Sequence, residues 1–197
     1  METTIKPKFK KNENKIYSVY SRCLITRNIV LPISAIGKNI KENIERTISA
    51  NFEGKCIVEG YIKPNSCKII TYSSGLIERS INILFEVVFE CEVCFPVEGM
   101  LINCVAKNIT KAGIRAESAT DVPSPIIVFI AKDHHYNSTL FSEIKEGDQI
   151  TVRVIGQRFE LNDKYISIIG ELIKPKEEIQ KKYKNKPKAR LVISENV

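Results

Sequence analysis

Tryptophan is absent from this chain, methionine and histidine occur twice each, and no apolar run is long. The scarcity of histidine argues against a multi-imidazole metal centre: His134 and His135 are adjacent and sit in no His-Glu-x-x-His-type frame. The nine glycines form no Gly-rich phosphate loop, and the local sequence shows no Ser/His/Asp arrangement. The longest apolar runs, such as Ile126 to Ala131, fall far short of a bilayer span. The basic segment Lys6-Pro7-Lys8-Phe9-Lys10-Lys11 is not followed by an apolar stretch of signal-peptide length. Together these absences predict a soluble, intracellular, non-catalytic protein with no cofactor, no metal and no membrane contact. The six cysteines (Cys23, Cys56, Cys67, Cys91, Cys94 and Cys104) are then expected as reduced thiols packed like small hydrophobes.

What the chain does have is positive charge, unevenly placed. The formal net charge is +7; residues 1–15 carry net +3 and residues 174–197 net +5, leaving −1 for everything between. A basic balance points toward nucleic acid, and here that reading attaches to the two ends. Residues 1–15 read as a lysine-rich disordered arm and 174–197 as a second basic tail, in which Ala189 to Ser194 has the pattern of a short strand. Isoleucine is abundant, 31 residues against 14 valines, as an AT-rich genome produces.

The sequence is organised around residues 97–115. Met100, Ile102, Cys104 and Ala106 alternate with Leu101, Asn103, Val105 and Lys107, the period of a strand. Thr110-Lys111-Ala112-Gly113 supplies a turn, with Gly113 expected at the positive φ of a tight hairpin. Residues 16–95 before it read as an α+β domain, one helix on an antiparallel sheet. Tyr17–Val30 is its first strand. A helix follows, opened by Pro32 or Ser34 and stopped at Gly54, with Ile33, Ile36, Ile40, Ile44, Ile48 and Phe52 as its apolar stripe. Strands are then expected at Lys55–Ile62, Cys67–Tyr72 and Ile81–Phe95. Residues 96–173 read as an all-β barrel of five strands: Val97–Asn108, Gly113–Ser118, Pro125–Lys132, Gln149–Glu160 and Lys164–Leu172. A longer connection follows the third.

Two clusters invite chemical readings. Cys91-Glu92-Val93-Cys94 has zinc-ligand spacing, but inside a strand residues three apart face opposite sides, and no second ligand pair accompanies it. Asp133-His134-His135 is expected as a solvent-facing loop at a strand end. Phe129, in an apolar run, is expected in the core; Phe129 and Tyr136 are the barrel aromatics available to stack on a base.

The second half resembles the S1 class of OB-fold RNA-binding domains. Glu98-Gly99 opens its first strand, Gly113 its second, and Glu146-Gly147-Asp148-Gln149-Ile150-Thr151-Val152-Arg153-Val154 its fourth. The first half adds Leu31-Pro32, the helix, Phe52-Glu53-Gly54-Lys55-Cys56, Gly60-Tyr61-Ile62, Phe85-Glu86-Val87-Val88-Phe89 and the junction Phe95-Pro96-Val97-Glu98-Gly99. In that order, over roughly residues 20–173, the chain resembles the stalk subunits of multisubunit RNA polymerases. That family includes the archaeal E-prime subunit and the seventh subunit of eukaryotic RNA polymerase II.

The resemblance implies a non-catalytic stalk subunit of a DNA-directed RNA polymerase acting in transcription. Its partners would be the polymerase core subunits, a smaller helical stalk subunit, and nascent single-stranded RNA, the last bound weakly. It would reside with the transcription machinery, in the nucleus, or in the cytoplasm or virion if viral. The AT-rich bias and the basic extensions point to a large DNA virus. Carried onto this chain, the docking tip is Gly60, Tyr61, Ile62, Lys63, Pro64, Ser73, Gly75 and Arg79; the RNA-binding set is Lys107, Lys111, Arg115, Lys132 and Arg153. Many S1 domains place an aromatic just after the second-strand glycine, whereas here Ile114 and Arg115 follow Gly113. Residues 96–173 carry net −2. The competing reading is a free-standing S1 protein that binds single-stranded RNA in translation or RNA decay; it requires a basic, aromatic barrel face.

Overall fold

The computed structural model describes residues 18–78, 81–135 and 139–173. Tyr17, Arg79, Tyr136 and the two basic ends, 1–15 and 174–197, lie outside the described residues. In chain order the elements are β1 (Tyr20–Pro32), α1 (Ile40–Phe52), β2 (Cys56–Ile57), β3 (Gly60–Ile62), β4 (Lys68–Tyr72), β5 (Leu76–Glu78) and β6 (Asn82–Cys94). The second half holds β7 (Leu101–Ile109), β8 (Gly113–Ser118), β9 (Ile126–Ala131), α2 (Thr139–Glu143), β10 (Gln149–Arg158) and β11 (Ile166–Ile173).

The expected architecture, one helix on an antiparallel sheet and then a five-stranded barrel, is observed. In the first half β6 is central. It pairs antiparallel with β1 along its whole length, from Tyr20↔Cys94 to Pro32↔Asn82. Its other edge is shared by β3, β4 and β5 in succession. Alternation divides the sheet into two faces. Ile25, Ile29 and Leu31 of β1, with Phe85, Val87 and Phe89 of β6, turn toward Ile44 and Ile48 of α1 and form one core. Each such Ile, Leu or Phe withdrawn from water contributes on the order of 1.5–3 kcal/mol.

The helix starts later than the sequence suggests. Ile33–Ala35 form a single 3-10 turn after Pro32, and α1 begins only at Ile40. Ile33, at the head of the expected stripe, is therefore exposed. The expected single strand Lys55–Ile62 is instead a tight hairpin, β2 and β3, and Leu76–Glu78 adds a strand between the expected Cys67–Tyr72 and Ile81–Phe95.

In the second half β7, β8, β9, β11 and β10 close into a barrel, the last pairing back on β7. β9 and β11 run parallel; all other pairs are antiparallel. Alternate residues such as Ile102, Ile114, Val128, Val152 and Ile166 fill its interior. Val97 to Met100 precede β7 rather than belonging to it. Gly113 does not adopt positive φ. It is required for closeness: a Cβ there would collide with the Ile130 carbonyl oxygen and meet the Phe129 ring at 3.0 Å.

The two halves meet along a packed seam. Val19, Cys56, Tyr61 and Cys94 are buried in the same cluster as the barrel interior. Cys56 N–H donates to the Asp163 carbonyl at 2.8 Å, and Asn162 N–H donates to the Cys56 carbonyl at 2.9 Å, a reciprocal bond pair between the β2 end and the β10–β11 turn. Phe95 and Phe159 pack edge to face across the junction at 6.2 Å. Burial and the nearby Asp121 carboxylate push the Tyr20 phenol well above its ordinary range. Cys91 lies in the helix-side core and Cys94 in the barrel-side core, the opposite-face placement that a three-residue spacing in a strand dictates.

Candidate docking and nucleic-acid surfaces

The structure divides the expected docking tip between two places. Gly60, Tyr61 and Ile62 are buried as β3, beside Val93 and Cys94 at the barrel end of β6. Gly60 has φ of 127°, and a Cβ there would strike the Cys94 carbonyl oxygen, so only glycine turns the chain in at the seam. Lys63 and Pro64 follow, half-buried; Lys63 Nζ bonds Glu92 at 2.6 Å and lies over the Tyr20 ring at 4.9 Å. Hydrogen bonding to Glu92 raises the Lys63 pKa.

Ser73 and Gly75 sit elsewhere. Lys63 N–H bonds the Glu92 carbonyl and Ser73 N–H bonds that of Glu86. Six residues of β6 separate these anchors, roughly 20 Å at about 3.3 Å per residue. Beyond Ser73 the far end of the sheet exposes a run of apolar side chains. Leu76 and Ile77 (77% exposed) come from β5, Ile81 from the turn into β6, and Val30 and Ile33 from the end of β1. Ile33 N–H donates to the Ile81 carbonyl at 2.9 Å, which ties the two edges together. The sequence hid this edge because its members come from separated stretches that meet only where β1 and β5 flank the start of β6.

Most of the expected RNA-binding set does share one surface. Lys107 lies at a bulge of β7 opposite Arg115 of β8, and Arg115 is the cross-strand partner of Phe129 on β9. Lys111 and Lys132 lie at the same end of the barrel, where Lys132 N–H donates to the Ala112 carbonyl. All four cations are exposed. Arg153 stands apart on β10 and pairs with Glu171 at 3.4 Å; Arg115 also has a carboxylate neighbour, Glu117, at 3.1 Å. Exposed pairs of this kind contribute only about 0–1 kcal/mol and exchange readily for a phosphate.

Phe129 is 40% exposed on the outside of the barrel, not in its core. Its parity was legible: Ile126, Val128 and Ile130 point in, so Ile127, Phe129 and Ala131 point out. Next to it, a cleft of about 460 Å³ is lined by Lys107, Arg115, Lys164 and Tyr165, with Glu117 and Asp121 at its side. Lys164 and Tyr165 were missed because they belong to the far end of the chain.

His135 is buried rather than solvent-facing. Its Nδ1 bonds the Ala131 carbonyl at 2.9 Å, Leu172 N–H donates to its Nε2 at 2.9 Å, and its ring stacks on Phe141 at 5.7 Å. It thereby pins the connection after β9 to β11. Glu53, at the end of α1, plays a similar part. Burial acts to raise its pKa, but hydrogen bonds from Ser49 and from the backbone N–H of Cys67 and Asn65 outweigh it and hold the carboxyl below its ordinary range.

Comparison with known proteins identifies relatives over part of the chain. No family model matches the chain. A protein of Acanthamoeba polyphaga mimivirus, named as a candidate DNA-directed RNA polymerase subunit, is 28% identical over 159 residues, 72% of this chain and 77% of that protein. Subunit 7 of DNA-directed RNA polymerase II from Arabidopsis thaliana is 26% identical over 115 residues, 58% of this chain; the chain spans 62% of that subunit's length. An uncharacterized protein of Methanocaldococcus jannaschii aligns structurally over 40% of this chain and 95% of its own at 19% identity, with a TM-score of 0.32, too loose to argue from. The two sequence relatives support the resemblance to RNA polymerase stalk subunits and include a viral member.

Proposed function

We propose that this chain is a non-catalytic stalk subunit of a multisubunit DNA-directed RNA polymerase. Both curated relatives carry RNA polymerase subunit names. The observation that carries the docking part of the reading is the exposed apolar edge at the far end of the first sheet, Val30, Ile33, Leu76, Ile77 and Ile81. An edge of that kind suits burial against a larger partner. The core-facing tip is assigned to this edge and the neighbouring Ser73 and Gly75; Gly60 to Ile62 hold the seam instead. The barrel, at the opposite end of the sheet, contacts nascent RNA weakly through Lys107, Lys111, Arg115, Phe129 and Lys132, with the basic ends at 1–15 and 174–197 adding nonspecific charge.

The test is a pull-down from the native source with tagged full-length protein, read by mass spectrometry. Large polymerase subunits are the expected catch, and they should disappear when Leu76 and Ile77 are replaced by Asp. Recovery of RNA or ribosomal proteins alone would instead favour a free-standing S1 protein, a reading to which the exposed Phe129–Arg115 pair lends support. Against it stand the net charge of −2 over residues 96–173 and the carboxylates beside Arg115 and Arg153.

A further inference from the structure

Three cysteines distant in sequence share one cross-strand row of the first sheet. Cys23 on β1 is the direct partner of Cys91 on β6. On the other side, Lys68 of β4 pairs with Glu90, and continuing that register by one residue places Cys67 opposite Cys91. Ser66 and Glu92 keep the register in place, the Glu92 N–H donating to Ser66 Oγ at 3.2 Å. Cys91 is buried, while Cys23 and Cys67 are half-buried. Among the described residues no three thiol, imidazole or carboxylate groups converge as a metal site requires.

The two neighbours of Cys91 are not equivalent. The N–H and carbonyl groups of Glu92 and Glu86 point toward the β3–β5 side, to Lys63, Ser66 and Ser73. Backbone groups alternate along a strand, so those of Cys91 point toward β1. Cys23 and Cys91 therefore form a hydrogen-bonded pair, and Cys67 and Cys91 a non-hydrogen-bonded one. In the latter class the Cα atoms approach to about 4.5 Å and the side chains are closer, within the roughly 4.4–6.8 Å Cα separation that a disulfide spans. The sulfurs behave accordingly. The mutual influence of the two thiols lowers the pKa of Cys91 and raises that of Cys67. The Cys23 sulfur lies 3.9 Å from Ser21 Oγ. The other cysteines are poor candidates: burial pushes Cys56 up to about 11 and Cys94 and Cys104 to about 12.

We propose that Cys67 and Cys91 form an oxidisable dithiol, a modification site that closes to a disulfide in the presence of a hydroperoxide-class oxidant. One thiol of the pair attacks the peroxide oxygen as its thiolate; the O–O bond breaks, that cysteine becomes a sulfenic acid, and the peroxide leaves as an alcohol or water. The partner sulfur then attacks the sulfenic sulfur, the S–O bond breaks, and the hydroxyl leaves as water with the remaining thiol proton. Two electrons pass from the two thiols to one O–O bond. The disulfide encloses residues 68–90, which carry β4, β5 and the Leu76, Ile77 and Ile81 part of the exposed apolar edge, and ties their base to the central strand. It requires no assumption about the polymerase.

The experiment treats reduced full-length protein with a small excess of hydrogen peroxide. Remaining thiols are then alkylated under denaturing conditions, and the chain is analysed by intact mass and non-reducing peptide mapping. The expected product is a monomer lighter by two hydrogens, with two fewer alkylatable thiols, a peptide linked through Cys67 and Cys91, and full reversal by dithiothreitol. Cys23→Ser should leave the link intact, and Cys67→Ser, a mild change at a half-buried position, should abolish it. Three results would overturn the proposal: all six thiols still alkylated, Cys91 linked to Cys23, or Cys67 advancing to sulfinic acid while Cys91 stays free.

Discussion

Arg115 and Phe129 face each other across β8 and β9 on the outer surface of the barrel. A guanidinium beside an exposed ring supplies both a phosphate contact and a stacking platform, at a point where Gly113 keeps the neighbouring strand close. Phe129→Ala should weaken single-stranded RNA binding by about tenfold, since stacking contributes about 1–3 kcal/mol per base. Fluorescence anisotropy with a short oligonucleotide checks this. Stability should change little, and an unchanged affinity would remove Phe129 from the interface.

Replacing Leu76 and Ile77 by Asp should abolish association with a polymerase core while leaving RNA affinity unaltered. Both side chains are largely exposed, so the folded chain tolerates the change, and loss of binding then reports on the surface. The melting curve of the purified variant controls for misfolding.

The basic ends carry the chain's net positive charge, +3 and +5 against −1 for the residues between. If they neutralise about five phosphates, log K against log salt falls with a slope of about −3.5. Removing residues 1–15 and 174–197 should flatten it. A slope that persists after truncation would assign the phosphate contacts to the barrel.

Glu53 makes stability depend on acid. Its folded pKa is depressed, so its contribution is fully present above the ordinary carboxylate range and is lost as pH falls through the folded value. Glu53→Gln should lower stability near neutrality and narrow the gap to wild type as the solution is acidified. Denaturant melts at several pH values would reveal it; a gap independent of pH would rule out the carboxylate.

His135→Ala should destabilise the protein by roughly 2–4 kcal/mol, the scale for a vacated buried site with broken hydrogen bonds. Here the change frees the Leu172 N–H and the Ala131 carbonyl and removes the stack on Phe141. Denaturant unfolding monitored by circular dichroism measures it.

Local pattern made much of this fold legible. The alternation along residues 82–94 and 101–109 and the isoleucine spacing of α1 follow from side-chain periodicity and hold in the structure; the Gly147-Asp148 opening of β10, taken from the S1 resemblance, holds as well. The cation set around Lys107 and Arg115 came from the family resemblance, and its members lie on two strands joined by one turn. What pattern did not reveal depends on pairing between distant residues. Gly60-Tyr61-Ile62, assigned to the docking tip by the resemblance, is instead drawn inside by Val93 and Cys94. His135 looked like a surface imidazole but finds both its partners on other elements. Ile33 fits a helical stripe, yet the 3-10 turn after Pro32 rotates it out.

The reciprocal bonds between Cys56 and the Asn162–Asp163 turn, with Tyr61 and Cys94 sunk into the barrel wall, bear on how force travels. A joint built from a bare linker would let each half swivel and would dissipate a displacement applied at one end. This joint is itself a piece of hydrophobic interior, so bending it means exposing Tyr61 to water. A bend at this joint therefore carries the cost of that exposure, which a bare linker would not impose.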